Sequence, residues 1–249
     1  MVECEELEGY LNSLLAVSQF KDYAPNGLQV EGRRSIQKMV TGVTACQALL
    51  DAAVELEADA ILVHHGYFWR GDSSVVRGMQ RRRLATLLNH DINLFAYHLP
   101  LDAHPELGNN VQLAKRLGLN IEGVLNEQGV GNIGTLPIAL SLQDFGEQVA
   151  QVLKRKPLLV AGGEHKIQRI AWCTGGAQAY LAEAVTLGVD AYLSGEISEQ
   201  TTHSARENHL HYIAAGHHAT ERYGVQALGE HLAARWGLDC QFVEIDNPA

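Results

Sequence analysis

The 249-residue chain carries 19 Lys and Arg against 29 Asp and Glu, a formal charge of −10, and is 46% hydrophobic. This composition supports a sizeable core and excludes a disordered, collagenous or mini-protein class. The acidic balance also makes sequence-independent binding to a nucleic-acid backbone unfavourable. No run approaches the roughly 18 apolar residues that span a bilayer, and residues 1–6 are acidic where a signal peptide is basic. Cys4, Cys46, Cys173 and Cys240 form no CxxC pair, so they read as reduced thiols of a cytoplasmic protein.

Apolar residues at Leu7, Leu11, Leu14 and Leu15 predict a helix over 5–17, which Pro25-Asn26-Gly27 follows as a break. Strands are then expected at 36–43, 59–63 and 92–97, with helices at 45–56 and, after an Arg-rich loop, up to about 89. A short helix over 111–117 ends at Gly118. In the second half, strands are expected near 167–173, 189–193, 210–215 and 241–245. Helices near 178–187, 199–207 and 219–236 separate them. Strands alternating with helices imply an α/β fold with largely parallel, helix-covered sheets.

An internal repeat is visible. Residues 47–65 align with 178–196 at nine identical positions of nineteen, including Asp59/Asp190, Ala60/Ala191 and Leu62/Leu193. Further on, His98-x-x-x-Asp102 matches His217-x-x-x-Glu221, each after an apolar strand. Two similar α/β lobes are expected, approximately 1–124 and 125–249 within one unit. Residues 122–166 are read as the join, and the lobes are allowed to interleave.

The chemistry sits at strand exits, where open α/β sheets collect ligands. His64-His65-Gly66 follows the apolar run 60–63. Adjacent side chains on a strand face opposite ways, so convergence of both rings depends on Gly66 letting the chain turn. His217 and Glu221 lie four apart at a helix start and share a face. In His98-Leu99-Pro100-Leu101-Asp102, Pro100 and Pro105 argue for an irregular loop from which Asp102 reaches the same crevice. A single catalytic zinc takes fewer ligands than this set offers. Imidazoles flanking two bridging carboxylates suit a pair of metal ions about 3.5–4 Å apart. Such a pocket needs segments more than a hundred positions apart to meet.

These residues carry a family resemblance. Residues 25–32 (Pro-Asn-Gly-Leu-Gln-Val-Glu-Gly), His64-His65-Gly66, His98-Leu99-Pro100-Leu101-Asp102, Gly195-Glu196 and Gly216-His217-His218-Ala219-Thr220-Glu221 closely resemble the GTP cyclohydrolase I type 2 homolog family, also called Ngg-one-interacting-factor-three-like. The likeness runs from about residue 22 to the C-terminus. It implies a dinuclear divalent-metal centre held by His64, His65, Asp102, His217 and Glu221, with the carboxylates bridging. It further implies two similar α/β lobes and a homohexameric ring. His98 is a ligand or an orienting group, and Glu196, which replaces His65 in the repeat, is a candidate general base or an acceptor for a ligand. The metal could be iron, zinc, manganese or nickel.

Other signals rank lower. Gly129-Val130-Gly131-Asn132-Ile133-Gly134 matches GxGxxG, but Pro137 blocks the helix that should receive a pyrophosphate, so a glycine-rich turn into a strand is expected. Arg70, Arg77, Arg81, Arg82 and Arg83 suit either a phosphate clamp or, more simply, a solvated or inter-subunit helix face. Tyr67, Phe68 and Trp69 either stack on a flat base or pack the crevice wall. The leading functional reading is a metal-dependent hydrolase of a small nucleotide-like substrate. A non-catalytic metal-binding ring comes second, and a nucleic-acid-binding toroid third.

Overall fold

The computed structural model describes all 249 residues. Two compact units emerge: Met1–Leu101 with Gly224–Asp246, and Asp102–Tyr223 with Asn247–Ala249. The chain therefore leaves the first unit near residue 101 and returns to it near 224. Each unit is assembled from two separated stretches of the chain.

The first unit begins with β1 (Val2–Glu3), α1 (Cys4–Leu14), β2 (Gly27–Val30) and β3 (Ser35–Ile36). It continues through β4 (Lys38–Thr44), α2 (Gln47–Glu55), β5 (Ala60–His65), α3 (Gly78–Asn89) and β6 (Asn93–Ala96). The short helix α4 (Leu99–Ala103) follows. In the second unit come α5 (Asn109–Leu117), β7 (Asn120–Val124), β8 (Asn132–Leu140), α6 (Leu142–Leu153), β9 (Leu158–Val160) and β10 (Ile167–Cys173). Then follow α7 (Leu181–Thr186), β11 (Ala191–Ser194), α8 (Glu199–Glu207), β12 (His211–Ala214) and α9 (His217–Thr220). The helix α10 (Arg222–Trp236) and β13 (Asp239–Phe242) close the chain.

The first sheet has the order β13-β4-β5-β6-β2, and the second β7-β8-β10-β11-β12-β9. Each centres on a parallel trio, β4-β5-β6 and β10-β11-β12, with an antiparallel edge strand at β2 and β9. Ala60 to His64 are buried without alternation, as expected of a strand covered on both faces. In the first unit Val40, Ile61, Val63 and Leu94 pack with Leu49, Leu50 and Ala53 of α2. Trp172, Ile170, Leu193 and Ile213 pack with Phe145 and Val149 of α6 in the second. Burial of each such side chain contributes about 1.5–3 kcal/mol, so these faces dominate the stability of both units.

The repeat is borne out in hydrogen bonds. Asp59 Oδ2 accepts from the backbone N–H groups of Gln37 and Lys38 at 2.8 and 2.9 Å. Asp190 Oδ2 accepts in the same way from Gln168 and Arg169 at 2.9 and 2.7 Å. Each aspartate thus ties the entry of one strand to the start of its parallel neighbour, which explains why Asp-Ala-x-Leu recurs. Asp190→Asn is expected to cost about 1–3 kcal/mol in chemical denaturation. Asp59→Asn should cost more, because Arg33 also bonds that carboxylate at 2.8 Å. Unchanged midpoints would remove this account of the repeat.

Two local expectations are corrected. Residues 122–166 are no mere join: they supply β8, α6 and β9, and β7 pairs with β8 at the edge of the second sheet. Residues 99–103 are helical and not an irregular loop. Pro100 occupies the first turn, where its missing N–H costs nothing. The glycine-rich run at 129–134 does lead into β8, as expected.

Candidate metal centre

At the carboxyl end of the first parallel trio, His64 and His65 are the last residues of β5 and His98 follows β6. Their rings approach closely, with centroids 4.5 Å apart for His64–His65 and 5.0 Å for His64–His98. Each offers a nitrogen within 4.8 Å of the others. Both histidines are part of the strand, paired along β4 as far as Thr44↔His65, so convergence does not need the chain to turn first. Gly66 matters for close approach: a Cβ there would collide with Gln29 Oε1 and Ala96.

Hydrogen bonds set the tautomers. The Tyr97 carbonyl can only accept, so His64 Nδ1 carries the proton of their 2.9 Å bond and Nε2 is the ring atom left for other contacts. His65 Nδ1 lies 3.2 Å from the Thr44 hydroxyl. His98 Nδ1 meets Asp22 Oδ1 at 2.9 Å. Asp22 also accepts from Asn26 Nδ2 and from the N–H of Leu99, both at 3.0 Å. Asp22 is a site residue that the pattern of histidines and carboxylates did not reveal.

Burial would raise the Asp22 carboxyl, but the bonds from His98, Asn26 and Leu99 outweigh it and hold the group down at about 2. A depressed carboxyl contributes stability that is complete above the ordinary value of 3.8 and disappears as pH falls through about 2. Asp22→Asn is therefore expected to cost about 1–3 kcal/mol at pH 7 and almost nothing near pH 2. Thermal melts across that range check the sign; a deficit that persisted at the acid end would contradict it.

In the second unit, Asp102 and Glu221 are both buried, 6% and 3% exposed, and present carboxylate oxygens within 4.8 Å of each other. Asn109 Nδ2 donates to Asp102 Oδ1 at 2.9 Å, and Thr174 Oγ1 donates to the same oxygen at 3.3 Å. His217, which opens α9 after β12, has Nε2 3.1 Å from Glu221 Oε2 and Nδ1 2.7 Å from Glu196 Oε1. Burial alone would lower the His217 pKa, yet the carboxylates of Glu221 and Glu196 hold it up at about 9. Burial, with Asp102 and Glu221 adding to it, pushes the Cys173 thiol well up, so it is protonated and inert.

Glu196 follows β11 and spends its carboxylate on orienting His217, with Gln178 Nε2 at 3.3 Å from its other oxygen. Gly175 and Thr174 were not legible as site residues. Gly175 has φ +71°, and a Cβ there would strike Glu221 Oε1.

The donor set fits divalent metal ions. Imidazole and carboxylate ligands suit iron, zinc, manganese and nickel alike. Two buried carboxylates this close repel unless positive charge stands between or beside them. Nitrogen donors end one parallel trio, and carboxylates with a further imidazole lie beyond the other.

Two α/β units, each with a parallel strand trio followed by histidines and carboxylates that could hold a metal ion, define a class of candidate metal-binding α/β proteins. The chain belongs to the Duf34/NIF3 (NGG1p interacting factor 3) family, whose model matches residues 2–248. A Pseudomonas aeruginosa relative called GTP cyclohydrolase 1 type 2 homolog is 57% identical over 248 residues, 98% of this chain and 96% of its own. An Escherichia coli K12 protein of the same name is 55% identical over 98% of both chains. Among solved structures, protein ybgI, described as of unknown function, superposes with a TM-score of 0.97 at 53% identity over the whole of both chains. TTHA1606 from Thermus thermophilus gives 0.92 at 36% identity, again over both full chains. No helix is long and apolar enough to cross a membrane.

Proposed function

We propose that this chain is a cytoplasmic, metal-dependent hydrolase of a small nucleotide-like substrate, holding a pair of divalent ions with His64, His65, Asp102, His217 and Glu221. The observation that carries the reading is the buried pair Asp102 and Glu221, with carboxylate oxygens within 4.8 Å. Such a pair needs positive charge beside it; His217 supplies one such charge next to Glu221, and bound cations would supply more. The name shared by the relatives, GTP cyclohydrolase 1 type 2 homolog, supports a hydrolytic reaction at a purine-like substrate.

Bound divalent ions would supply Lewis-acid activation of water and of a carbonyl or phosphoryl oxygen. The protein's own residues do the rest. Thr174 and Asn109 fix the Asp102 carboxylate, and Glu196 fixes the His217 ring. His98, held at Nδ1 by Asp22, takes up or returns a proton at Nε2. Assembly into a ring of six is part of the proposal and rests on the family resemblance.

A hydrolysis screen over nucleotides, run on chelator-stripped protein and again with each ion restored, tests this. Turnover that appears only with metal, and falls at least about tenfold in Asp22→Asn without loss of metal, supports it. Turnover surviving complete demetallation would refute it. Tight metal binding with no turnover of any nucleotide would leave a metal-binding scaffold in its place.

A further inference from the structure

Beside His65, the first unit contains a cavity of about 340 Å³. Trp69, Tyr67 and Met79 form its apolar wall, and Thr44, Gln80 and Arg83 add polar groups. Of the arginines at 70, 77, 81, 82 and 83, only Arg83 is not exposed. Its guanidinium carbon stands 6.0 Å from the Tyr67 ring centroid, and its Nε is buried without a hydrogen-bond partner. Arg81 and Arg82 are exposed on α3, and Arg70 and Arg77 are exposed in the stretch before it, whereas Arg83 faces inward.

A shielded guanidinium donor that makes no hydrogen bond is costly, and it is recovered when an anion docks on the fork. Trp69 is already oriented, because its Nε1–H donates to the Gly66 carbonyl at 3.2 Å, which leaves the indole to pack by its apolar surface. Asp72 also lines the cavity; it is exposed, and its Oδ2 accepts from the Trp69 backbone N–H at 3.2 Å. The volume is at the small end of ligand pockets, enough for one flat ring with an acidic substituent.

We propose that this cavity recognises the non-reacting end of the substrate as an aromatic ring bearing an anionic group, with Arg83 gripping the anion and Trp69 packing against the ring. The inference rests on the hydrolase reading for the word substrate, since His65 belongs both to the cavity wall and to the proposed ligand set. The anion is a phosphate ester or a carboxylate, which a guanidinium fork grips alike.

Calorimetric titration of the metal-loaded full chain with phenyl phosphate, benzoate, phenol and inorganic phosphate separates the possibilities. Saturable binding is expected for phenyl phosphate or benzoate, and the tighter of the two identifies the anion. Arg83→Gln should weaken it about tenfold or more, Arg83→Lys less, and Arg81→Gln not at all. Trp69→Leu should weaken it similarly and serves as the second variant if Arg83→Gln does not fold. Phenol binding as well as phenyl phosphate, inorganic phosphate binding as well as the ring-bearing probes, or indifference to both Arg83→Gln and Trp69→Leu would overturn the proposal. Metal content is read in parallel. A chain that takes up no ion yet binds the probes through Arg83 would defeat the hydrolase reading while the pocket stood.

Discussion

Glu221→Gln is expected to weaken divalent-metal loading by about 100-fold or more, since even residues that only orient ligands cost 10–100-fold when changed. The substitution preserves shape and removes one charge from a buried site, 3% exposed, that already holds Asp102 nearby. Without metal two effects oppose each other, relief of the repulsion with Asp102 and loss of the His217–Glu221 ion pair at 3.1 Å, so the metal-dependent gain is the readout. With metal supplied, the parent should gain in melting temperature and the variant should not. A second readout is His217, which should fall from about 9 toward its ordinary 6.5 once the Glu221 carboxylate is gone. NMR titration of the imidazole without metal measures that shift. Full metal retention in Glu221→Gln would contradict the ligand assignment.

Gly175→Ala is expected to combine two penalties. A non-glycine residue at φ +71° costs about 1–3 kcal/mol in strain. The added methyl also displaces Glu221, because the backbone cannot retreat: the Gly175 carbonyl accepts from Gly195 N–H at 2.9 Å and from Ser194 Oγ at 3.2 Å. Metal loading should collapse along with stability. Gly188→Ala separates the effects, because Gly188 also has positive φ, +63°, but open space around it. That variant should lose about 1 kcal/mol and load metal normally. Equal metal loading in the two variants would show that the Gly175 contact with Glu221 does not matter.

Much of this architecture is legible in the amino-acid order, because parallel strands buried on both faces leave unmistakable apolar runs. Ala60-Ile61-Leu62-Val63 and Ile213-Ala214-Ala215 each deliver the chain to histidines, and Asp59 and Asp190 mark the same strand entry twice. What the order of residues hid was tertiary. Asp22 lies 76 positions from His98, so nothing local announces their bond. Thr174 reaches Asp102 across 72 positions. Pro100 looked like a helix breaker because proline is ambiguous until its place in the first turn is known. The arginine cluster looked uniform, since charge alone does not tell which member of α3 turns inward. The return of α10 and β13 to the first unit follows from the parallel pairing of β13 with β4, a register no local pattern encodes.

The most direct test is elemental analysis of the full chain purified without chelator and then reconstituted with iron, zinc, manganese or nickel. About two tightly held divalent equivalents per chain are expected, falling below about one in Asp102→Asn and Glu221→Gln. A folded parent chain that holds essentially no divalent ion after reconstitution, or variants that hold as much as the parent, would contradict this expectation.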